Sequence, residues 1–144
     1  MIYLASDHAG FELKEEIKKY LLDLGMEVED MGAFSLDPED DYPDFVRLAA
    51  QAVARDPERS RGIVFGGSGQ GEAIVANKIN GIRAVVYYGG AIDIVKLSRA
   101  HNNANVLSLG ARFLTAQEAK EAVRLWLETE FEGGRHERRI DKIK

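Results

Sequence analysis

The chain has 144 residues, 45% of them hydrophobic, enough to bury a core of ordinary size, and no linker or repeat divides it, so one domain over 1–144 is expected. The absence of cysteine excludes disulfides, thiolate nucleophiles and cysteine-ligated metals, and a net charge of −5 argues against a nucleic-acid partner. No run of eighteen apolar residues marks a membrane span, and Met1 to Leu4 enters a strand without the regions of a signal peptide, so the expectation is a cytoplasmic protein with no membrane partner.

Ile2 to Ala5 reads as a buried first strand, and Phe11, Leu13, Ile17, Leu21 and Leu24 form the apolar stripe of a helix ending at Gly25. Ser6, Asp7 and His8 lie between them. Ser and Asp are favoured helix caps, so Asp7 reads equally as a cap or as an acid, and His8 taken alone reads as structural. Met26 to Met31 alternates weakly, as an edge strand does, and the acidic run Asp37 to Pro43 reads most simply as a solvated loop. Phe45, Leu48, Ala49, Ala52 and Val53 then carry a helix to Arg55, which Asp56-Pro57 ends.

The stretch Gly62 to Lys78 changes period twice. Ile63, Val64 and Phe65 are continuously apolar, as in a parallel strand covered on both faces, which places this strand at the centre of a sheet. Gly66, Gly67, Gly69 and Gly71 follow, and Ala73 to Ala76 then resume as a buried helix. A glycine turn between a strand end and a helix start gathers unpaired amides and the positive end of the helix dipole, which suits an anion. The spacing excludes the common nucleotide cradles. A phosphate loop needs Lys and Ser or Thr after Gly71, and the dinucleotide pattern needs a glycine at 72, whereas Glu72 and Ala73 stand there. Glu72 has two readings: a complement to the dipole worth about 0.3–1 kcal/mol, or a functional carboxylate.

Ile82 to Tyr87 is predicted as a fourth strand, Ile92 to Ala100 as a helix leading into His101-Asn102-Asn103, and Val106 to Leu109 as a fifth strand. Thr115 is placed to cap a helix containing Ala119, Val123, Trp126 and Leu127, and a basic helix is expected over about 135–144. His8, His101 and His136 lack close metal-ligand spacing, so no metal is expected. Five strands alternating with helices imply an α/β, doubly wound, Rossmann-like domain with a five-stranded parallel sheet and helices on both faces. In the order 2-1-3-4-5 the topological switch falls between strands one and three, which brings Asp7 and His8 beside the glycine loop. An acid, an imidazole and an anion hole meeting at one switch point favour catalysis over separate structural roles.

Taken together, Ser6-Asp7-His8-Ala9-Gly10, Asp41-Tyr42-Pro43, Gly66 to Glu72, Ala76-Asn77-Lys78, His101 to Asn105 and Gly133 to Arg139 resemble ribose-5-phosphate isomerase type B, in order and across nearly the whole chain. The resemblance implies interconversion of D-ribose 5-phosphate and D-ribulose 5-phosphate with no cofactor, by a homodimer, with pairing of dimers into a tetramer left open, whose two sites each draw on both subunits. It implies Asp7 and His101 as the ring-opening pair, Asn102 as a ligand of the sugar hydroxyls, and His8, Arg112, Arg135 and Arg139 as phosphate contacts. Many family members carry a catalytic cysteine where this chain has Gly66, and Glu72 matches the subgroup in which Glu is the base. Ser68 then assists proton movement between oxygens, and the amides of Gly67, Gly69 and Gly71 hold the enediolate. Tyr42 and His136 are expected to line the pocket. Two alternatives remain open: an isomerase of a six-carbon sugar phosphate such as allose or galactose 6-phosphate, and a non-catalytic sugar-phosphate sensor.

Overall fold

The computed structural model describes residues 1–143. Five parallel strands form one sheet: β1 (Ile2–Ser6), β2 (Val28–Asp30), β3 (Arg61–Gly66), β4 (Ala84–Tyr87) and β5 (Val106–Gly110). The helices are α1 (Phe11–Asp23), α2 (Tyr42–Ala54), α3 (Gln70–Asn77), α4 (Asp93–Ala100), α5 (Ala116–Glu128) and α6 (Arg135–Ile140). The apolar run of β3 serves both faces, because alternate side chains point opposite ways. Ile63 and Phe65 join Leu4, Leu107 and Leu109 under α1 and α5, where Ile17, Leu21, Val123 and Trp126 are fully buried. Val64 joins Ala5 and Val106 on the other face, against Val46, Ala49 and Val53 of α2 and Ala76 of α3.

The strand order is 2-1-3-5-4, not the expected 2-1-3-4-5. Every residue of β5 is buried, so it takes a place with neighbours on both sides, whereas β4 is only half covered and tolerates the edge. The switch between β1 and β3 is unaffected by that exchange. Pairing of Ser6 with Phe65 and of Gly66 with Gly110 brings the carboxyl ends of β1, β3 and β5 side by side.

Local signals explain several boundaries. Gly25 turns the chain after α1 at φ +80, and Thr115 caps α5 through a reciprocal box: the Glu118 amide donates to Thr115 Oγ1 (3.1 Å) and the Thr115 amide to Glu118 Oε1 (2.9 Å). The basic helix is shorter than expected: α6 stops at Ile140 and a turn follows, while Lys144 lies outside the described residues. The apolar run after the glycine loop is not wholly buried either, since Ala73 and Ala76 face the core but Ile74 is 62% exposed. No helix among the described residues is long and apolar enough to cross a membrane.

Candidate active site

At the carboxyl edge of the sheet, the turn after β1 delivers Asp7 and His8. Asp7 is buried, and its Oδ1 accepts from the amides of Ala9 (3.0 Å) and Gly10 (3.2 Å). Asp7 is therefore not the helix cap, which is Gly10 with no side-chain bond; one of its oxygens orders the turn ahead of α1, and the other remains free for chemistry. Gly10 is required here because a Cβ would run into the backbone of Phe65.

The loop between β3 and α3 lies directly alongside. Gly69 adopts φ +82 as the cap of α3, and Ser108 Oγ donates to its carbonyl at 2.6 Å, fixing the loop to β5. The amides of Ser68, Gly69 and Gly71 find no acceptor among the described residues, so the loop presents bare donors at a helix start. Ser68 Oγ accepts from the Gln70 amide at 3.3 Å.

Glu72 sits one turn into α3 and is only 4% exposed. Its carboxylate fills the space that a Cβ on Gly66 would occupy, so a side chain at 66 and a carboxylate from 72 exclude one another. Burial raises the Glu72 pKa above the ordinary carboxylate value. Its own backbone amide opposes that shift, and the negative charge of Asp7 adds to it. This is the direction a base working near neutral pH requires.

Two more groups close this side. The ring of Tyr42 packs on Gly71, and the Arg112 guanidinium lies over Gly67 while the Arg112 amide donates to the Gly67 carbonyl (3.1 Å). The acidic loop is not simply solvated, because Asp40 folds onto His8: one carboxylate oxygen accepts from the His8 amide (3.0 Å) and from its Nδ1 (2.8 Å). The His8 pKa is raised first by that bond and further by Asp7, against burial and Arg112. Sequence reasoning missed Asp40, since nothing in a run of acids distinguishes the one that folds inward.

His101, Asn102, His136 and Arg139 are elsewhere. They line a cavity of about 240 Å³ with Ile140 and Ile143. Because α4 runs back antiparallel to β4, its end at His101 lies at the amino edge of the sheet, where Asn105 bonds Arg83 just before β4. The five residues of β5 alone separate that edge from the glycine loop by roughly 15 Å. Within one chain the predicted residues thus form two groups. Asp7, His8, Ser68, Glu72 and Arg112 stand at one edge, and His101, Asn102 and Arg139, with Arg135 beside His136, stand at the other.

In the second group the imidazoles of His101 and His136 stack 4.2 Å apart at 12°. Burial lowers the His136 pKa, and the charges of His101 and Arg135 lower it further. Donor atoms of His101, Glu132 and His136, and of Asp7, His8 and Asp40, lie within 4.8 Å of one another. Parallel rings do not converge their lone pairs on one ion, and Asp40 and His8 already satisfy each other. Some motif residues are structural: Asn77 exchanges two hydrogen bonds with Ala84 (3.0 and 2.8 Å), and Asn105 links the turn at Gly81 to Arg83. A cavity of about 510 Å³ around 77–84 contains none of the predicted site residues.

Residues 2–143 match the Ribose/Galactose Isomerase family. The chain is 45% identical to ribose-5-phosphate isomerase B of Mycolicibacterium paratuberculosis, covering 97% of this chain and 87% of that one. It superposes with a TM-score of 0.95 on the crystal structure of ribose-5-phosphate isomerase B from Mycoplasma genitalium with bound ribulose-5-phosphate, at 42% identity over 99% and 92% of the two chains. The corresponding enzyme of Thermotoga maritima gives a TM-score of 0.91 at 47% identity, over 99% and 95%. A buried carboxylate against bare amides at the β1–β3 switch, carried on a chain that matches from end to end, means that this protein belongs to the ribose/galactose isomerase family.

Proposed function

We propose that the protein interconverts D-ribose 5-phosphate and D-ribulose 5-phosphate, with Glu72 as the base. The observation that carries this reading is the Glu72 carboxylate, buried, raised in pKa and placed beside unpaired loop amides and Asp7. After Asp7 and His101 open the furanose ring, Glu72 removes the C2 proton and returns it to C1. The amides of Gly67 to Gly71 stabilise the intervening enediolate, where each well-aimed donor contributes about 2.7–4 kcal/mol. Ser68 relays a proton between the two oxygens. Asn102 holds sugar hydroxyls, and His8, Arg112, Arg135 and Arg139 hold the phosphate, whose binding energy fixes the reactive pose.

The two groups of residues meet only if two copies pair, so the working unit in this reading is a homodimer in which each site combines one copy's carboxyl edge with the other's His101 group. Its support is the surface beside His101: Ile94 and Leu97 are 56% and 42% exposed and line a groove of about 330 Å³ with Val85, Tyr87 and Asn102 at the sheet edge. Apolar surface continuous with half a site suits a second copy.

Complementation tests both parts. Asp7→Asn and His101→Asn should each be inactive alone, measured by ketose formation and deuterium incorporation at C2 in heavy water. Mixed and re-associated, they should recover about a quarter of wild-type activity, because half the dimers are mixed and each carries one intact site of two. Failure to recover overturns the shared site, and absence of exchange in the wild-type protein overturns the isomerase.

A further inference from the structure

We propose that Asp40 is a positioning residue for His8: its carboxylate orients the imidazole and holds it as the imidazolium that receives the substrate's phosphate. The inference rests on the isomerase reading for the identity of the substrate, and on local geometry for everything else. One oxygen of Asp40 takes both the amide and Nδ1 of His8, at 3.0 and 2.8 Å, which fixes backbone and ring together. A carboxylate can only accept, so Nδ1 carries the proton and Nε2 is left for a ligand.

The Asp40 side chain is 8% exposed, and its second oxygen is buried with no partner among the described residues, so both of its hydrogen bonds go to His8. Such a carboxylate gains most when its partner is charged, and a bound phosphate gains from the same charge. The segment leading to Asp40 is anchored from beneath: buried Lys14 donates to Asp30 (2.8 and 2.7 Å) and to the Ala33 carbonyl (2.7 Å). The charged groups facing His8 are Asp40 from this segment, Asp7 from its own turn and Arg112 from beyond β5. Two anions therefore oppose one cation around the ring. Arg112, already over Gly67, marks the side from which an anion approaches.

The sign follows from linkage. A His whose pKa is raised in the folded site keeps its phosphate affinity at low pH and loses it as pH rises through that raised value. Asp40→Asn retains an acceptor of the same size and removes the charge. At pH values above the ordinary His range it should raise the Kd for inorganic phosphate and the KM for ribose 5-phosphate about tenfold, with kcat within about twofold. The fall in affinity should move to lower pH, and the His8 Cε1 proton should titrate lower by NMR. In a His8→Gln background the Asp40 substitution should add nothing further, because its whole effect passes through the ring.

An unchanged pH profile, an unmoved His8 titration, or an Asp40→Asn penalty that persists in His8→Gln would each overturn the proposal. Phosphate binding and the NMR titration need no turnover, so they decide the role of Asp40 even if the isomerase reading fails.

Discussion

Glu72→Gln separates catalysis from folding because the two effects run in opposite directions. The side chain is 4% exposed, so bulk water cannot replace it as a base, and Asp7, whose Oδ1 is held by two amides at 3.0 and 3.2 Å, is fixed on the turn after β1 and cannot move into the place of Glu72. Losing a positioned base lowers the rate about 10²–10⁴-fold, or roughly 2.7–5.4 kcal/mol at 1.36 kcal/mol per decade. The immobile Asp7 places the expectation at the upper end. KM should stay within about threefold, since the amide retains the shape and phosphate binding lies elsewhere. Because burial and Asp7 raise the folded pKa of Glu72, its stabilising effect is present below the unfolded value of 4.5 and is lost as pH rises through the folded value. At neutral pH the charge therefore burdens the fold, and the Gln variant should melt no lower than wild type. The assay is kcat for ketose formation with C2 exchange in heavy water, alongside thermal melts at pH 7. A variant retaining kcat within tenfold would refute Glu72 as the base. In the wild type the acidic limb of the kcat/KM profile should fall above pH 4.5 and disappear in the variant.

Gly66→Ala places a methyl where the Glu72 carboxylate sits, so it should lower kcat at least tenfold and stability by about 1–3 kcal/mol, read from kinetics and denaturant titration. Normal turnover in that variant would mean that Glu72 rests elsewhere. Lys14→Met removes the buried ammonium from Asp30 and from the Ala33 carbonyl, leaving the half-buried Lys18 (2.9 Å) as the cation on that carboxylate, and should lower stability by about 1–3 kcal/mol by urea unfolding, with part of the loss recovered when Asp30→Asn is added. Equal stability of the single and double variants would show that the ion pair does not govern the loss.

The sheet was legible because its signals are local. Ile63 to Phe65 can be covered on both faces only in a central strand, Thr115 is a favoured cap type ahead of a helical stripe, and four glycines in six residues define a turn. Glu72 stood out because it occupies a place where nucleotide loops require other residues, but the choice between a dipole complement and a base came from the family resemblance. The order of β4 and β5 was not legible: AVVY and VLSLG are both apolar, and only neighbouring helices decide which of them occupies the edge. Asp40 and Lys14 were missed for the same reason, because an acid in an acidic loop and a lysine on a helix look solvated until tertiary contacts bury them.

The sequence by itself determined the alternation of strands and helices, the anion-suited turn and the residue types available for proton transfer, since each depends on period, spacing or backbone freedom within a few residues. Tertiary structure decided that Asp7, His8, Asp40 and Glu72 share one edge of the sheet while His101, Asn102 and Arg139 occupy the other. That division comes from α4 returning antiparallel to its strand, a consequence of parallel topology that no local pattern encodes.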